Sequence, residues 1–390
     1  MTDLVLPAAD AAVLSEIAGW DRFRPARFQA SDFPVDVVRL TGSVSPPLMI
    51  SRGRRAESLK ALPASLRDRA GAAFEKAARR SARLSLAHGR SLDLASGPLV
   101  MGVVNVTPDS FSDGGLSYDR GRAVARALEL FASGAAVVDI GGESTRPGTY
   151  GDAHEVSPEE EAARVLPVIE DIRRQTAAPL SIDTRRAAVA RAAIEAGADL
   201  VNDVTAFRFD PAMAETVARA GAGAILMHMR GLDPRTMQSD TNYSHLLADV
   251  AAELAEAAGR AAIAGVPADA VAVDPGLGFG KSPEGNLVLL RHLAAFCSLG
   301  FPIVIGASRK GFVRRFSGVA DDSPAAERLP GSLACAEAAA QGGAALVRVH
   351  DAAETVRFFS MRRSIATPAL PASPDRAGAG SRAPAEAAAP

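Results

Sequence analysis

Cysteine is nearly absent from this sequence of 390 residues, which contains only Cys297 and Cys335. Two cysteines exclude a disulfide framework and a zinc ribbon, and they fit a reducing compartment. The first residues form no basic segment followed by an apolar run, and no stretch approaches the ~20 consecutive apolar residues of a membrane helix. We therefore expect a cytoplasmic protein with no membrane contact.

A surplus of one charge sign is also missing, because 43 Lys and Arg residues are balanced by 45 Asp and Glu residues. Such a chain has no broad positive field for nucleic acid, so any bound anion needs a local cluster of cations. Lysine itself is scarce, and the chain has only Lys60, Lys76, Lys281 and Lys310. We expect small-molecule partners and no nucleic acid.

The central part of the chain, from about residue 99 to residue 363, repeats one pattern eight times: a short apolar run, a polar or glycine-rich turn and an alanine-rich helical segment. The apolar runs cover residues 99–104, 136–140, 180–182, 200–201, 224–227, 271–273, 303–305 and 346–349. Strands that alternate with helices pair in parallel through right-handed crossovers. Eight such units in roughly 250 residues predict an α/β fold, a (β/α)8 TIM barrel.

The two ends of the chain differ from this pattern. Residues 1–88 contain segments rich in proline and arginine and an amphipathic helical pattern from Leu66 to Leu84, and we predict an N-terminal extension of unknown role. Residues 366–390 are mostly Ala, Pro, Ser and Gly, a composition typical of a disordered tail. The barrel domain then occupies residues 89–365.

Polar side chains stand at or just beyond the carboxyl ends of all eight apolar runs. They are Asn105, Asp139, Asp183, Asn202, His228, Asp274, Ser308 with Lys310, and Arg348 with His350. Asp and Asn are common in turns and helix caps, so each residue alone has a structural explanation. In a barrel, however, the carboxyl ends of all strands meet at one rim, where the substrate binds. The complete set therefore predicts an active site.

The predicted rim carries groups of both signs. Lys310, Arg348 and His350 follow the last two strands, where barrels often bind phosphate. Asp183, Asn202 and Asp274, on the opposite arc, suit a ligand rich in N–H donors. Two long turns, residues 105–115 and 141–148, exceed the usual 2 to 6 residues of a connection and are typical of mobile lids. No cysteine or serine in the turns of this rim has an evident base beside it, which argues against a covalent nucleophile.

Two other kinds of site are disfavoured by spacing. Residues 274–282 do not match the P-loop pattern, because Pro275 stands where that pattern needs a glycine. They do not match the dinucleotide-binding pattern either, because Lys281 stands where that pattern needs its third glycine. The six histidines include no His-x-His pair after the first strand and no pair at i, i+4, which disfavours a metal hydrolase. The glycines of residues 276–280 do allow a flat ligand to approach the backbone beside Asp274.

Eight segments of the barrel match, in order, the motifs of a known enzyme family. They are residues 105–115 (NVTPDSFSDGG), 139–148 (DIGGESTRPG), 181–184 (SIDT), 201–203 (VND), 227–229 (MHM), 274–281 (DPGLGFGK), 308–310 (SRK) and 348–351 (RVHD). On these segments the sequence resembles the dihydropteroate synthases. The resemblance covers about Leu92 to Arg363, and the fold that it implies is the barrel already predicted.

The resemblance implies an activity: joining 4-aminobenzoate to 6-hydroxymethyl-7,8-dihydropterin diphosphate, with release of diphosphate, in folate biosynthesis. It implies that Asp183, Asn202, Asp274 and Lys310 bind the pterin. It implies that Asn105, Arg348 and His350 bind the diphosphate, with Asn105 also a ligand of Mg²⁺. It implies that Thr145, Arg146, Pro147, Phe279 and Ser308 form the aminobenzoate pocket, where sulfonamides compete in this family. Asp183, Asp274 and Lys310 are the expected catalytic residues, and a homodimer is expected.

Two alternatives use the same fold. A pterin-binding methyltransferase domain that serves a corrinoid protein would share the carboxylates, but it needs neither Arg348 and His350 nor the turn 308–310. A barrel without catalytic activity that serves as a scaffold would be expected to have lost some of the polar rim residues, and none is missing. Release of diphosphate from the two substrates distinguishes these possibilities.

Overall fold

The computed structural model describes residues 2–6, 35–40, 48–51, 67–68, 81–107, 116–143 and 156–367. Most of the predicted N-terminal extension, the predicted lids and the tail beyond residue 367 lie outside these described residues. Within the extension, β1 (Thr2–Leu6) pairs in parallel with β2 (Val35–Leu40), which pairs antiparallel with β3 (Leu48–Ser51).

Eight parallel strands form the central sheet. They are β6 (Leu99–Asn105), β7 (Val137–Gly141), β8 (Leu180–Asp183), β9 (Leu200–Asp203), β10 (Gly223–Met227), β11 (Val271–Asp274), β12 (Val304–Ile305) and β13 (Leu346–Val349). Their order is β11-β10-β9-β8-β7-β6-β13-β12, and a parallel bridge from Val273 to Ile303 joins the two ends of the sheet. The ring is therefore closed, and the predicted (β/α)8 barrel is confirmed.

Helices follow the strands around the outside of the barrel. They are α1 (Leu116–Ala132), α2 (Pro158–Arg173), α3 (Ala187–Glu195), α4 (Met213–Ala220), α5 (Leu246–Ile263), α6 (Pro283–Arg291), α7 (Gly311–Ser317), α8 (Leu329–Gln341) and α9 (Ala352–Ala366). Ser157 and Ser282 cap α2 and α6, because each hydroxyl accepts a backbone N–H of the first turn and a proline follows. None of the helices in the described parts of the chain is long and apolar enough to cross a membrane.

A short hairpin closes the amino-terminal end of the barrel. Its strands are β4 (Arg83–Ser85) and β5 (Ser91–Asp93). Leu84, which is fully buried, packs with Leu86 and Leu92 against inward-facing barrel residues. The barrel residues of this cluster are Met101, Val137, Leu200, Ile225, Ala272, Val304 and Leu346. The helical pattern was therefore wrong at its end, because Leu84 lies in a strand whose side chain enters the barrel floor.

Asp199, in the loop between α3 and β9, binds the same hairpin to the barrel. The buried carboxylate of Asp199 accepts hydrogen bonds from Arg90 Nη1 at 2.6 Å and Arg173 Nη2 at 2.8 Å. It also accepts the backbone N–H of Leu180 at 2.9 Å. The backbone N–H of Ala87 also donates to the carbonyl of Asp199 at 3.0 Å, so the hairpin packs against the barrel on both sides of residue 88.

Candidate active site

The carboxyl-terminal rim of the barrel brings the strand-end residues together. Asn105, Asp183, Asn202 and Asp274 lie at the ends of β6, β8, β9 and β11. Arg348 lies within β13, and the last members, Ser308, Lys310 and His350, follow β12 and β13. A Cβ on Gly141 would lie 3.5 Å from Asp183 Cβ and 3.8 Å from Asn105 Oδ1, so the two side chains flank this glycine.

Arg348 connects two carboxylates of this rim, those of Asp183 and Asp139. Its Nη2 donates to Asp183 Oδ2 at 2.8 Å, and its Nε donates to Asp139 Oδ2 at 2.6 Å. Asn202 Nδ2 donates to the same oxygen of Asp139 at 3.0 Å. The expected separation of cations and carboxylates into opposite arcs was therefore wrong, because the long Arg348 side chain reaches across to Asp183.

Asp139 is a site residue to which the sequence interpretation gave no role. Its side chain is fully buried, and its Oδ1 has no hydrogen-bond partner among the described residues. A buried carboxylate oxygen without a partner is costly unless a ligand or water pairs with it. The available signal was its position, because Asp139 lies at the carboxyl end of the second apolar run and Asp183 directly follows the third.

The carboxylates of the rim are desolvated. Burial raises the pKa of Asp183 to about 7, an effect that Arg348 opposes and the neighbouring Asp139 reinforces. Burial also raises the pKa of Asp274, against the opposing charge of Lys310. Burial lowers the pKa of Lys310 to about 8, against the opposing charge of Asp274. Groups shifted towards neutrality in one concave rim are typical of a functional site.

The glycine-rich loop 275–280 supports Asp274 and Lys310. Asp274 Oδ1 accepts the N–H of Gly276 at 2.7 Å, and Lys310 Nζ donates to the carbonyl of Leu277. The Lys310 ammonium lies 4.6 Å from the centre of the Phe279 ring. Gly276 has a φ of +69°, and a Cβ there would lie 1.9 Å from the carbonyl oxygen of His228. Only glycine fits this close approach.

Ser308 and His350 contact each other at the end of the barrel's last two strands. The Ser308 hydroxyl oxygen accepts the backbone N–H of His350 at 3.2 Å and lies 3.2 Å from His350 Nδ1. The expectation that no serine in these turns neighbours a base was therefore wrong. The signal was available, because both residues lie in motifs singled out after adjacent strands.

The second long turn is described only at its start. Thr145, Arg146 and Pro147, which the sequence assigned to the aminobenzoate pocket, lie outside the described residues. Glu143, just before them, is fixed by Arg186 Nη1, which donates to Glu143 Oε2 at 2.8 Å and to the buried Glu161 at 2.6 Å. The turn therefore starts from a rigid, charge-paired position.

A second group beneath the rim was not assigned from sequence. Lys281 is buried, and its Nζ lies 2.7 Å from Nδ1 of the buried His228. Nε2 of His228 lies 3.3 Å from Glu253 Oε2. His228 had been noted at a strand end without a role, and the scarcity of lysine was the one signal that pointed to Lys281.

Comparison with known proteins identifies the family to which a chain with this site belongs. The family described as pterin binding enzyme matches residues 101–350. The chain belongs to the pterin-binding enzyme family. Within it, the chain belongs with the dihydropteroate synthases. It is 43% identical over 270 residues to dihydropteroate synthase of Escherichia coli (strain K12), covering 69% of this chain and 92% of that protein.

Other relatives and solved structures agree. The chain is 44% identical over 259 residues to dihydropteroate synthase of Mycobacterium leprae (strain TN), covering 66% of this chain and 89% of that protein. It superposes with a TM-score of 0.67 on Xanthomonas albilineans dihydropteroate synthase with 4-aminobenzoic acid, at 44% identity, covering 75% of this chain and all of that one. The structure of that enzyme in complex with 7,8-dihydropteroate gives a TM-score of 0.64 at 42% identity, covering 74% and 100% of the two chains.

Proposed function

We propose that the chain is a dihydropteroate synthase, a transferase that condenses 6-hydroxymethyl-7,8-dihydropterin diphosphate with 4-aminobenzoate to give 7,8-dihydropteroate and diphosphate. The observation that carries the proposal is the rim itself. Two desolvated carboxylates, Asp183 and Asp274, lie beside the cations Lys310 and Arg348. A fused ring rich in N–H donors that carries a diphosphate matches both kinds of group.

The pterin is assigned to Asp183, Asn202, Asp274 and Lys310. Carboxylates accept the N–H groups of the ring's amino edge, and a desolvated surrounding strengthens such bonds. In this assignment Lys310 donates to a ring acceptor. Its Nζ contacts the carbonyl of Leu277 in the glycine-rich loop that follows Asp274, so the ammonium belongs to the same part of the site. Asp183 and Asp274 also stabilise positive charge that develops on the ring, so these three ionisable groups are the proposed catalytic residues.

The diphosphate is assigned to Asn105, Arg348 and His350. Mg²⁺ fits this place, because it is usually held by one or two protein oxygens together with substrate phosphates. The Asn105 amide oxygen lies at the rim beside Gly141, and the described residues contain no cluster of three His, Cys, Asp or Glu side chains that would form a metal cage. Asn105 would hold the ion, which would neutralise charge on the departing diphosphate.

The 4-aminobenzoate pocket is assigned to Phe279 and Ser308 with Thr145, Arg146 and Pro147. The Phe279 ring offers an apolar face next to Lys310, and Ser308 lies at the neighbouring strand end. Arg146 would pair with the carboxylate of the aminobenzoate. This places the arylamine towards the pterin methylene group and its acid group towards the second long turn.

We assign a dissociative substitution to the chemistry. The C–O bond between the pterin methylene and the diphosphate breaks first, and the diphosphate leaves with the electron pair. The arylamine nitrogen then forms the C–N bond and loses a proton to the diphosphate or to water. Asp183 and Asp274 stabilise the cationic carbon through the ring, and closure of the two long turns would exclude competing water.

We further propose a homodimer in the cytoplasm. Apolar side chains on α7 and α9 are exposed in the single chain: Phe316 is 46% exposed, Met361 61% and Ile365 68%. Burial of such a surface between two copies is favourable. Cys297 and Cys335 do not form a disulfide with each other, as is usual in a reducing compartment. A monomer mass by light scattering at micromolar concentration would contradict the dimer.

Product formation tests the activity. Purified protein is incubated with pterin diphosphate, 4-aminobenzoate and Mg²⁺, and dihydropteroate and diphosphate are measured together. Equal amounts of both products are expected, with neither formed when one substrate is omitted. Methyl transfer from a methylated tetrahydropterin, without diphosphate chemistry, would instead support the methyltransferase alternative.

A further inference from the structure

Lys281 ends the glycine-rich loop and turns its side chain back underneath it. Its Nζ donates to the carbonyl oxygens of Phe279 and His228, each at 3.0 Å, and lies 2.7 Å from His228 Nδ1. Burial lowers the pKa of Lys281 well below its ordinary value, against the opposing charge of Asp274. In its ammonium form the side chain has three N–H donors, and these three acceptors match them. A buried lysine is expensive unless its hydrogen bonds are satisfied, so this arrangement needs a compensating benefit.

His228 continues the contact towards the surface. Burial lowers the pKa of His228 to about 4, helped by the charge of Lys281, so the ring is neutral at physiological pH. A neutral ring that accepts from Lys281 at Nδ1 carries its hydrogen on Nε2. Nε2 faces Glu253 Oε2 at 3.3 Å, and Glu253 is 35% exposed. The contact is not aligned as a hydrogen bond, but the nearby carboxylate charge favours the tautomer of His228 that Lys281 requires.

The loop that Lys281 holds carries the groups assigned to the substrates. Asp274 precedes it and accepts the N–H of Gly276. Leu277 accepts from Lys310, and the Phe279 ring lies against the Lys310 ammonium. The loop packs on the end of β10, because the N–H of His228 donates to the carbonyl of Asp274 at 2.8 Å. Any movement of the loop would displace Phe279, disturb its bond to Asp274 and break its contacts with Lys310.

We propose that the buried chain Glu253–His228–Lys281 positions the glycine-rich loop for catalysis, so that Lys281 is a positioning residue for the pterin and aminobenzoate sites. Lys281 acts through Phe279 and the carbonyl of His228 and need not touch a substrate. The assignment of these effects to substrate binding rests on the proposed function. The contacts among Glu253, His228 and Lys281 do not depend on the proposed function.

The first experiment compares Lys281→Met with a control variant that is destabilised at another element. Ile172→Ala removes buried side-chain volume from α2 and serves as that control. At a temperature where both variants are fully folded, Lys281→Met is expected to raise the KM of both substrates at least tenfold. The control is expected to stay within twofold of the wild type. Soluble Lys281→Met with wild-type constants would overturn the proposal.

The second experiment uses the surface end of the chain, where folding is not at risk. Gln can still accept from His228 Nε2, whereas Leu cannot. Glu253→Leu is therefore expected to raise the KM for pterin diphosphate at least threefold, and Glu253→Gln is expected to stay within twofold. Equal KM values for the two variants would show that Glu253 does not help to position the loop.

A readout that is independent of activity separates this inference from the proposed function. In ¹⁵N-histidine spectra, with His228→Gln identifying the signals, His228 is expected to show an unprotonated Nδ1 that shifts in Lys281→Met. A protonated Nδ1 in the wild type would overturn the inference even in an active enzyme. Wild-type protein that makes no dihydropteroate but shows the expected spectrum would instead contradict only the proposed function.

Discussion

The Asp183 carboxylate is bound to the Arg348 guanidinium by a hydrogen bond of 2.8 Å, and the same guanidinium binds Asp139 at 2.6 Å. The pKa of Asp183 therefore depends first on its burial, which raises it, then on the Arg348 cation, which lowers it, and on Asp139, which raises it. A substrate diphosphate that drew Arg348 away would change the balance at the pterin end. We therefore expect the proposed pterin and diphosphate sites to be coupled through this one side chain.

The two neighbours of Asp183 are expected to shift its titration in opposite directions. Removal of the cation in Arg348→Gln raises the pKa of Asp183 above its wild-type value of about 7, because an opposing charge is lost. Removal of the like charge in Asp139→Asn lowers that pKa. If ionised Asp183 binds the pterin, the acid limb of pterin affinity moves to higher pH in the first variant and to lower pH in the second.

Binding of 6-hydroxymethylpterin, followed by fluorescence from pH 5 to pH 9, measures this limb. The ligand has no diphosphate, so loss of the proposed anion contact of Arg348 does not enter. Arg315→Lys, at an exposed position paired with Glu284, is the control and should leave the limb in place. Shifts in the same direction for both test variants would contradict the assignment to Asp183.

Asp183 is also expected to destabilise the protein above neutral pH. Its folded pKa is raised from an ordinary value of 3.8 to about 7. Between these values the folded chain holds a proton that the unfolded chain has lost, so stability falls as pH rises through this window. Asp183→Asn does not titrate. Its Tm relative to the wild type should therefore rise from pH 4.5 to pH 8 by calorimetry, and a pH-independent difference would refute this.

Lys310 is expected not to be replaceable by arginine. A Cβ on Gly278 would already lie 3.3 Å from Lys310 Cδ, and Phe279 covers the ammonium, so a wider planar group does not fit. Loss of one charge-assisted hydrogen bond costs about 1.5 to 3 kcal/mol, or roughly ten- to a hundredfold in pterin affinity. Calorimetric titration of Lys310→Arg with pterin diphosphate measures it. Wild-type affinity would show that only a positive charge is needed there.

The barrel and its rim could be predicted from the sequence for a simple physical reason. Each strand is a short apolar run with a polar residue at its end, and parallel strands place those ends together. Asp183, Asn202 and Asp274 were found in this way without knowledge of any contact. Strand ends are fixed by the fold, and the predicted positions therefore agree with the observed ones.

Long side chains were less predictable, because their direction depends on neighbours far away in sequence. Arg348 was assigned to the anion end, yet its guanidinium turns to Asp139 and Asp183. Lys281 follows a glycine-rich loop, a place where lysine is usually solvated, and only the fold shows that it is buried against His228. Leu84 fits a helical repeat as well as a strand. The strand that contains it has only three residues, Arg83–Ser85, which is too short for the alternation of a strand to be recognised in the sequence.

The floor hairpin is expected to be needed for folding, although the rest of the extension is not. Leu84 is fully buried among the inward-facing barrel residues, so Leu84→Ala should cost about 2 to 5 kcal/mol of stability. Ile263→Ala, at a side chain that is 90% exposed, should stay within about 0.5 kcal/mol. Denaturant titration compares the two variants.

Truncation locates the boundary of the same unit. A chain that starts at Ser81 retains the hairpin and the partners of Asp199, and it should be folded and active. A chain that starts at residue 94 loses the hairpin and Arg90, one of the partners of Asp199, and it should be insoluble or strongly destabilised. A stable, active protein from residue 94 would show that the floor is dispensable.

The contact between Ser308 and His350 makes the order of bond breaking a question that experiment can decide. A serine hydroxyl 3.2 Å from a histidine nitrogen could in principle attack the pterin methylene and form an ether intermediate. The same hydroxyl, however, already accepts the backbone N–H of His350, which fixes it as a bridge between two strand ends. We therefore expect cleavage of the C–O bond without a covalent intermediate, and Ser308→Ala should retain that cleavage.

Positional isotope exchange tests this expectation. Pterin diphosphate with ¹⁸O in the bridge between carbon and phosphorus is incubated with enzyme and Mg²⁺, with benzoate in place of 4-aminobenzoate. If the bond breaks and re-forms, rotation of the released phosphate group moves ¹⁸O out of the bridge, and mass spectrometry detects the change. Exchange is expected in the wild type and within about tenfold in Ser308→Ala, because electrostatic stabilisation by Asp183 and Asp274 remains. Exchange that disappears in folded Ser308→Ala would identify the serine as a nucleophile and exclude the dissociative route.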